Sequence, residues 1–125
     1  MDTKAYTTQW MNISLEKQKI EVRITKPLRA LYLFNNRIFP YKQAKIIGDI
    51  DIKAYAYENW YGPGENGNVE KMEFYIDGKL KSTLYNEPFI WSWNNRTSGK
   101  HTIKVIAYDN NGYSDSKEIQ VNTLL

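Results

Sequence analysis

Cysteine is absent from the 125-residue chain and histidine occurs once. The first absence removes thiol nucleophiles, thiolate metal sites and any disulfide framework. The second rules out a multi-histidine metal centre within one chain. No stretch approaches the ~20 apolar residues of a membrane helix, so membrane insertion is not expected. The opening Met1 to Trp10 is polar, without the apolar central region of a signal peptide. Basic residues outnumber acidic ones only 17 to 14 and are scattered along the chain. With no arginine cluster and no basic–aromatic stripe, nucleic acid is not an expected partner.

Aromatic residues are plentiful by contrast: 10 Tyr, 4 Trp and 4 Phe. They suit pleated sheet surfaces better than helices. Hydrophobic content of 42% and charged content of 25% are ordinary for a globular chain. The length fits one domain able to bury a core without a metal or disulfide.

Period-2 alternation governs the chain from about residue 19 onward and predicts strands throughout. Ile20, Val22 and Ile24 alternate with Glu21, Arg23 and Thr25 up to Pro27. Leu31–Phe34 forms a second apolar run ending at Asn35-Asn36, read as a turn. Ile50, Ile52, Ala54 and Ala56 oppose Asp51, Lys53, Tyr55 and Tyr57. Residues 58–68 read as a Gly- and Pro-bearing loop. Met72, Phe74 and Ile76 share a face and lead into Asp77-Gly78, a pair suited to a hairpin turn with positive φ at both positions. Phe89, Trp91 and Trp93 share another face, Ile103, Val105 and Ala107 alternate, and Ile119 and Val121 mark a last strand. Short strands separated by turn signals, with no amphipathic helix, predict an all-β antiparallel sandwich or barrel of about seven strands. Residues 1–18 lack a clear period and read as a linker or loosely attached segment, leaving 19–125 as the domain.

The order Val69–Lys79 (VEKMEFYIDGK), Pro88–Asn94 (PFIWSWN) and Gly99–Asp109 (GKHTIKVIAYD) resembles the immunoglobulin-like domains of bacterial and archaeal cell-surface and secreted proteins. Ile24–Pro27 and Ile50–Ala54 are similar to that family's first strands, so the resemblance covers roughly residues 20–122. It implies a Greek-key Ig-like β-sandwich, and a non-catalytic module working as spacer or adhesive surface beside neighbouring domains. The segment between residues 28 and 47 and the Trp60-Tyr61 pair depart from the family pattern, which is where a private function would sit.

Trp91 and Trp93, with Phe89, fall on the face the resemblance assigns to the interior, so core packing outweighs a sugar platform. His101 has no nucleophile at a recognisable spacing and no Gly-x-Ser-x-Gly elbow accompanies it. A structural hydrogen bond to a nearby loop is the expected role, and no catalytic residue is assigned. Trp60 and Tyr61, in a Gly/Pro loop, are the candidate ligand-binding residues, with Tyr55, Tyr57, Tyr75 and Tyr108 able to extend their surface. Asp109, Asn111 and Asp115 are candidate calcium ligands, and Glu58 and Glu65 candidate supplements. The alternative for that run is a turn held by Asx hydrogen bonds. Asn12-Ile13-Ser14 and Asn95-Arg96-Thr97 fit the glycosylation pattern.

The sequence therefore predicts an extracellular or cell-surface module within a larger exported polypeptide, monomeric in isolation, with no required cofactor. The competing reading is a carbohydrate- or ligand-binding accessory module of a secreted enzyme, using Trp60 and Tyr61.

Overall fold

Alternation of inward and outward side chains produces ten strands in the computed structural model, which describes residues 19–59, 68–94 and 97–124. They are β1 (Lys19–Lys26), β2 (Ala30–Leu33), β3 (Asn36–Pro40), β4 (Ala44–Ile47), β5 (Ile50–Asn59), β6 (Val69–Ile76), β7 (Lys79–Leu84), β8 (Phe89–Trp93), β9 (Gly99–Asp109) and β10 (Ser114–Leu124). One sheet has the order β1-β5-β8 and the other β3-β2-β4-β10-β9-β6-β7. The chain leaves β5 for β6 and β7 of the opposite sheet, then returns as β8 beside β5, the crossing of a Greek key.

The core lies between the sheets. Ile20 and Val22 of β1, Ile50, Ile52, Ala54 and Ala56 of β5, and Phe89 and Trp93 of β8 face Met72, Phe74 and Ile76 of β6. Ile103, Val105 and Ala107 of β9 and Val121 of β10 complete the opposite layer. Each fully buried aliphatic or aromatic side chain contributes about 1.5–3 kcal/mol of transfer free energy. Ile24, Trp91 and Ile119, expected in the core, sit at its margin, half-buried and packed against it. Trp91 still meets Phe74, with ring centroids 6.1 Å apart.

Asp77-Gly78 forms the expected two-residue turn, with φ of 51° and 82°. Asp77 Oδ1 accepts the Thr102 N–H (2.9 Å), tying the turn to β9.

The strand count exceeds about seven because residues 28–47 form three strands, where the sequence showed one apolar run and a turn. β4 runs parallel to β10, and β2 runs parallel to β4, so the sheet is not wholly antiparallel. β2 and β3 form a hairpin added at that edge. Ala30, Tyr32, Ala44 and Ile46 are its contribution to the core, with the Tyr32 hydroxyl accepting the Leu28 N–H (2.9 Å). The hairpin turns at Phe34-Asn35, one residue earlier than expected, with φ of 47° and 73°. The reason is Asn35. Its Oδ1 accepts from Lys26 Nζ (2.7 Å) and Asp51 N–H (2.8 Å), and its Nδ2 donates to Asp51 Oδ2 (3.0 Å). These bonds pin the hairpin tip to the other sheet. Phe34 lies over Gly48, where an added Cβ would come within 2.6 Å of the ring.

Candidate functional site

Two regions carry unusual chemistry: one end of the sandwich, and the surface of the added hairpin. At the end, β5 and β9 finish close together. Asp109 closes β9, and its Oδ1 accepts the N–H groups of Asn111 (2.9 Å) and Tyr113 (2.8 Å). Asp109 N–H donates to the Tyr113 carbonyl (3.0 Å), and Asn68 and Asn110 exchange two further bonds across to β6. This is the Asx-stabilised turn, with Asn111 contributing its backbone to Asp109. Asp115 is committed elsewhere: its Oδ2 accepts from Val22 N–H of β1 (2.9 Å) and Lys117 Nζ (3.2 Å). Glu58, not Asp115, meets Asp109. Burial and the adjacent Asp109 carboxyl push Glu58 up to about 7.

Trp60, Tyr61 and Glu65 lie outside the described residues, as do Asn12 and Asn95. The structure gathers Tyr55, Tyr57 and Tyr85 with Asn68, Asn86 and Glu87 along an open groove of about 500 Å³. Tyr55 is 50% exposed and Tyr85 63% exposed. Tyr55 and Tyr57 stack with centroids 6.0 Å apart, Arg23 lies 6.0 Å from the Tyr57 ring, and the Tyr57 hydroxyl donates to Glu21 across the strand pair. Tyr85 was not singled out by sequence reasoning; its only signal was the Tyr-Asn-Glu-Pro run before β8.

Tyr75 and Tyr108 belong to a different surface, the outer face of the larger sheet. The Tyr75 hydroxyl donates to Glu73 (2.9 Å), and Lys71 sits 4.8 Å from the Tyr108 ring. Hydrogen bonding to Glu73 pushes Tyr108 up to about 12. Tyr75 is thus engaged within its own strand and Tyr108 across to the neighbouring one. His101 is likewise committed: Nδ1 faces Asp77 Oδ2 at 2.6 Å and Nε2 faces the Thr97 carbonyl at 3.1 Å. That contact holds Asp77 below the usual carboxylate range.

The second region is the outer face of the hairpin edge. Register places Leu31 of β2 beside Phe39 of β3 and Lys45 of β4, and places Leu33 beside Ile47, itself beside Leu124 of β10. Phe39 meets Tyr41 edge-on at 6.4 Å, and Lys45 extends over Tyr41. Leu33, Phe34, Ile38, Phe39 and Tyr41 are all exposed, and β3 is an edge strand exposed along its whole length. The opposite edge, β7, carries Lys79 and Lys81, a common guard against strand pairing.

Two sheets packed face to face with these crossings define an Ig-like β-sandwich. Residues 39–105 match the bacterial Ig domain family, more than half of the sequence, and the chain belongs to that family. The match begins within β3, so β2 and the hairpin turn precede it. Among solved structures, the fibronectin(III)-like modules of Clostridium thermocellum CbhA superpose with a TM-score of 0.62 at 20% identity, covering 86% of this chain and 47% of that one. The chain thus spans about half the length of that structure. An engineered protein overlaps with a TM-score of 0.51 at 12% identity, over 86% of this chain and 20% of the other. A Jonesia denitrificans lytic polysaccharide monooxygenase reaches only 0.47, at 17% identity over 68% and 60%. The first two show a shared fold. No curated protein matches the sequence.

Proposed function

We propose that this domain is a non-catalytic module of an exported or cell-surface polypeptide, holding neighbouring domains apart and presenting a protein-interaction or adhesive surface on its added hairpin. The observation carrying this reading is an apolar row, half-buried Leu31 with exposed Leu33, Phe39 and Tyr41, at a hairpin pinned by Asn35. A pinned surface loses little entropy on docking. His101 supports the non-catalytic part, because both ring nitrogens face structural acceptors. Among the described residues no helix is long and apolar enough to cross a membrane. A photo-cross-linking side chain placed at Phe39, in the cells that produce the protein, should give a protein adduct. The same group at Leu80, on the lysine-guarded edge, should not. Equal adducts from both positions would remove the hairpin from the account.

A second reading is favoured by a separate observation. The exposed Tyr55 and Tyr85 rings and the Asn86 amide along one groove are the side-chain types that stack on and hydrogen-bond sugars. Under that reading the domain is a carbohydrate-binding accessory module, with Trp60 and Tyr61 joining the tyrosines. Retention by a polysaccharide gel, abolished in a Tyr55→Ala, Tyr85→Ala variant of unchanged Tm, would establish it.

A further inference from the structure

The two carboxyl groups at the end of the sandwich lack the partners that burial demands. Asp109 is 3% exposed. Its Oδ1 is satisfied by two N–H groups, but the buried Oδ2 has no hydrogen-bond donor. Glu58 comes from the opposite sheet, within hydrogen-bonding reach of Asp109, and its buried Oε1 is also without a donor. Among the described residues neither carboxyl forms an ion pair with lysine or arginine. Buried polar atoms in folded proteins are paired in the great majority of cases, so two such oxygens on neighbouring carboxyl groups need an explanation.

We propose that Glu58 and Asp109 bind a divalent cation between the two sheets, with calcium the preferred ion. The donors are hard oxygens, which excludes a preference for soft metals. Zinc sites draw mainly on histidine and cysteine, and the one histidine lies near the other end of β9. Calcium accepts irregular geometry and six to eight oxygens, whereas magnesium demands a near-ideal octahedron. Two side chains cannot fill that shell, so water completes it from the groove that Glu58 and Asn68 line. Few protein ligands imply weak binding, in the ~0.1–1 mM range of extracellular modules. The bound ion would clamp the end of β5 to the end of β9. A proton competes for the same place, since Glu58 is pushed up to about 7.

The test uses the full chain, stripped with chelator, at about pH 8 and constant ionic strength. Thermal unfolding is followed while calcium chloride is added to about 10 mM. At about ten times the dissociation constant, Tm should rise by about 5 °C. Glu58→Gln should remove that rise, and magnesium should give a smaller one. Because Asp109 also holds its turn, Asp109→Asn is a poor first variant. Terbium luminescence, sensitised by the neighbouring Tyr113, reads binding without relying on stability. It should appear with wild type, fall on adding calcium and be lost with Glu58→Gln. No calcium effect on Tm, an effect retained in Glu58→Gln, or terbium emission unchanged by that substitution would each overturn the proposal. A Tm that responds to pH alone would assign the site to a proton and overturn it equally.

Discussion

Replacing Asn35 by alanine should cost this domain about 3 kcal/mol, a large share of the ~5–15 kcal/mol that holds a domain folded. The side chain makes three hydrogen bonds, to Lys26 Nζ, Asp51 N–H and Asp51 Oδ2. At about 0.5–1.5 kcal/mol net each, their loss accounts for roughly 2 kcal/mol in this part-buried setting. Asn35 also sits at φ +73°, where asparagine is tolerated and an alanine Cβ costs about 1 kcal/mol more. Asn35→Gly isolates the two parts, keeping the backbone freedom and deleting only the hydrogen bonds; it should cost about 2 kcal/mol. Urea unfolding followed by tryptophan fluorescence, with an unchanged m-value, gives both numbers. A loss below about 1 kcal/mol for alanine would mean that the tip is not pinned. The surface proposed for partners would then be a loose appendage.

Trp93, 5% exposed and edge-on to His101 at 5.5 Å, should cost about 3–5 kcal/mol when truncated to alanine; a midpoint shift worth under 1 kcal/mol would refute the interior assignment of β8. Gly48→Ala meets both a φ of 86° and the Phe34 ring, and should lose about 2 kcal/mol. Phe34→Ala in the same chain should recover part of that loss, and a strictly additive double-mutant cycle would contradict the contact. Stability should fall as pH rises from about 4.5 to about 7, because the folded state keeps a proton on Glu58 that the unfolded chain releases at its ordinary value. After screening at this half-buried position the fall is on the order of 1–2 kcal/mol. Glu58→Gln should flatten it in calcium-free buffer, and an unchanged slope would remove Glu58 as its source.

The sandwich was legible where the alternation is long enough to fix a register. Ile50, Ile52, Ala54 and Ala56 span a ten-residue strand, and Asp77-Gly78 names its own turn chemistry. The added hairpin was not legible for a physical reason. β2 and β4 are four residues each, and each offers only two inward positions. In the Leu31–Phe34 run the buried ring is Tyr32, whereas Leu33 and Phe34 point to solvent, the reverse of what hydrophobicity suggests. Asn35-Asn36 announced a turn, yet its placement depends on Lys26 and Asp51, which only the tertiary fold brings near. The sandwich end was legible in part. Asp109 was a candidate from its loop sequence and Glu58 a candidate supplement, and those two meet, but Asp115 of the same run is drawn off by Val22 N–H of β1. Spacing along one loop does not show which neighbouring strand each side chain serves.

Affinity electrophoresis through a panel of polysaccharides separates the protein-facing module from the sugar-binding one most directly. The account predicts migration unaltered by any polysaccharide, for wild type and for a Trp60→Ala, Tyr61→Ala variant alike. Retardation of wild type, lost in that variant while its Tm stays the same, would contradict it.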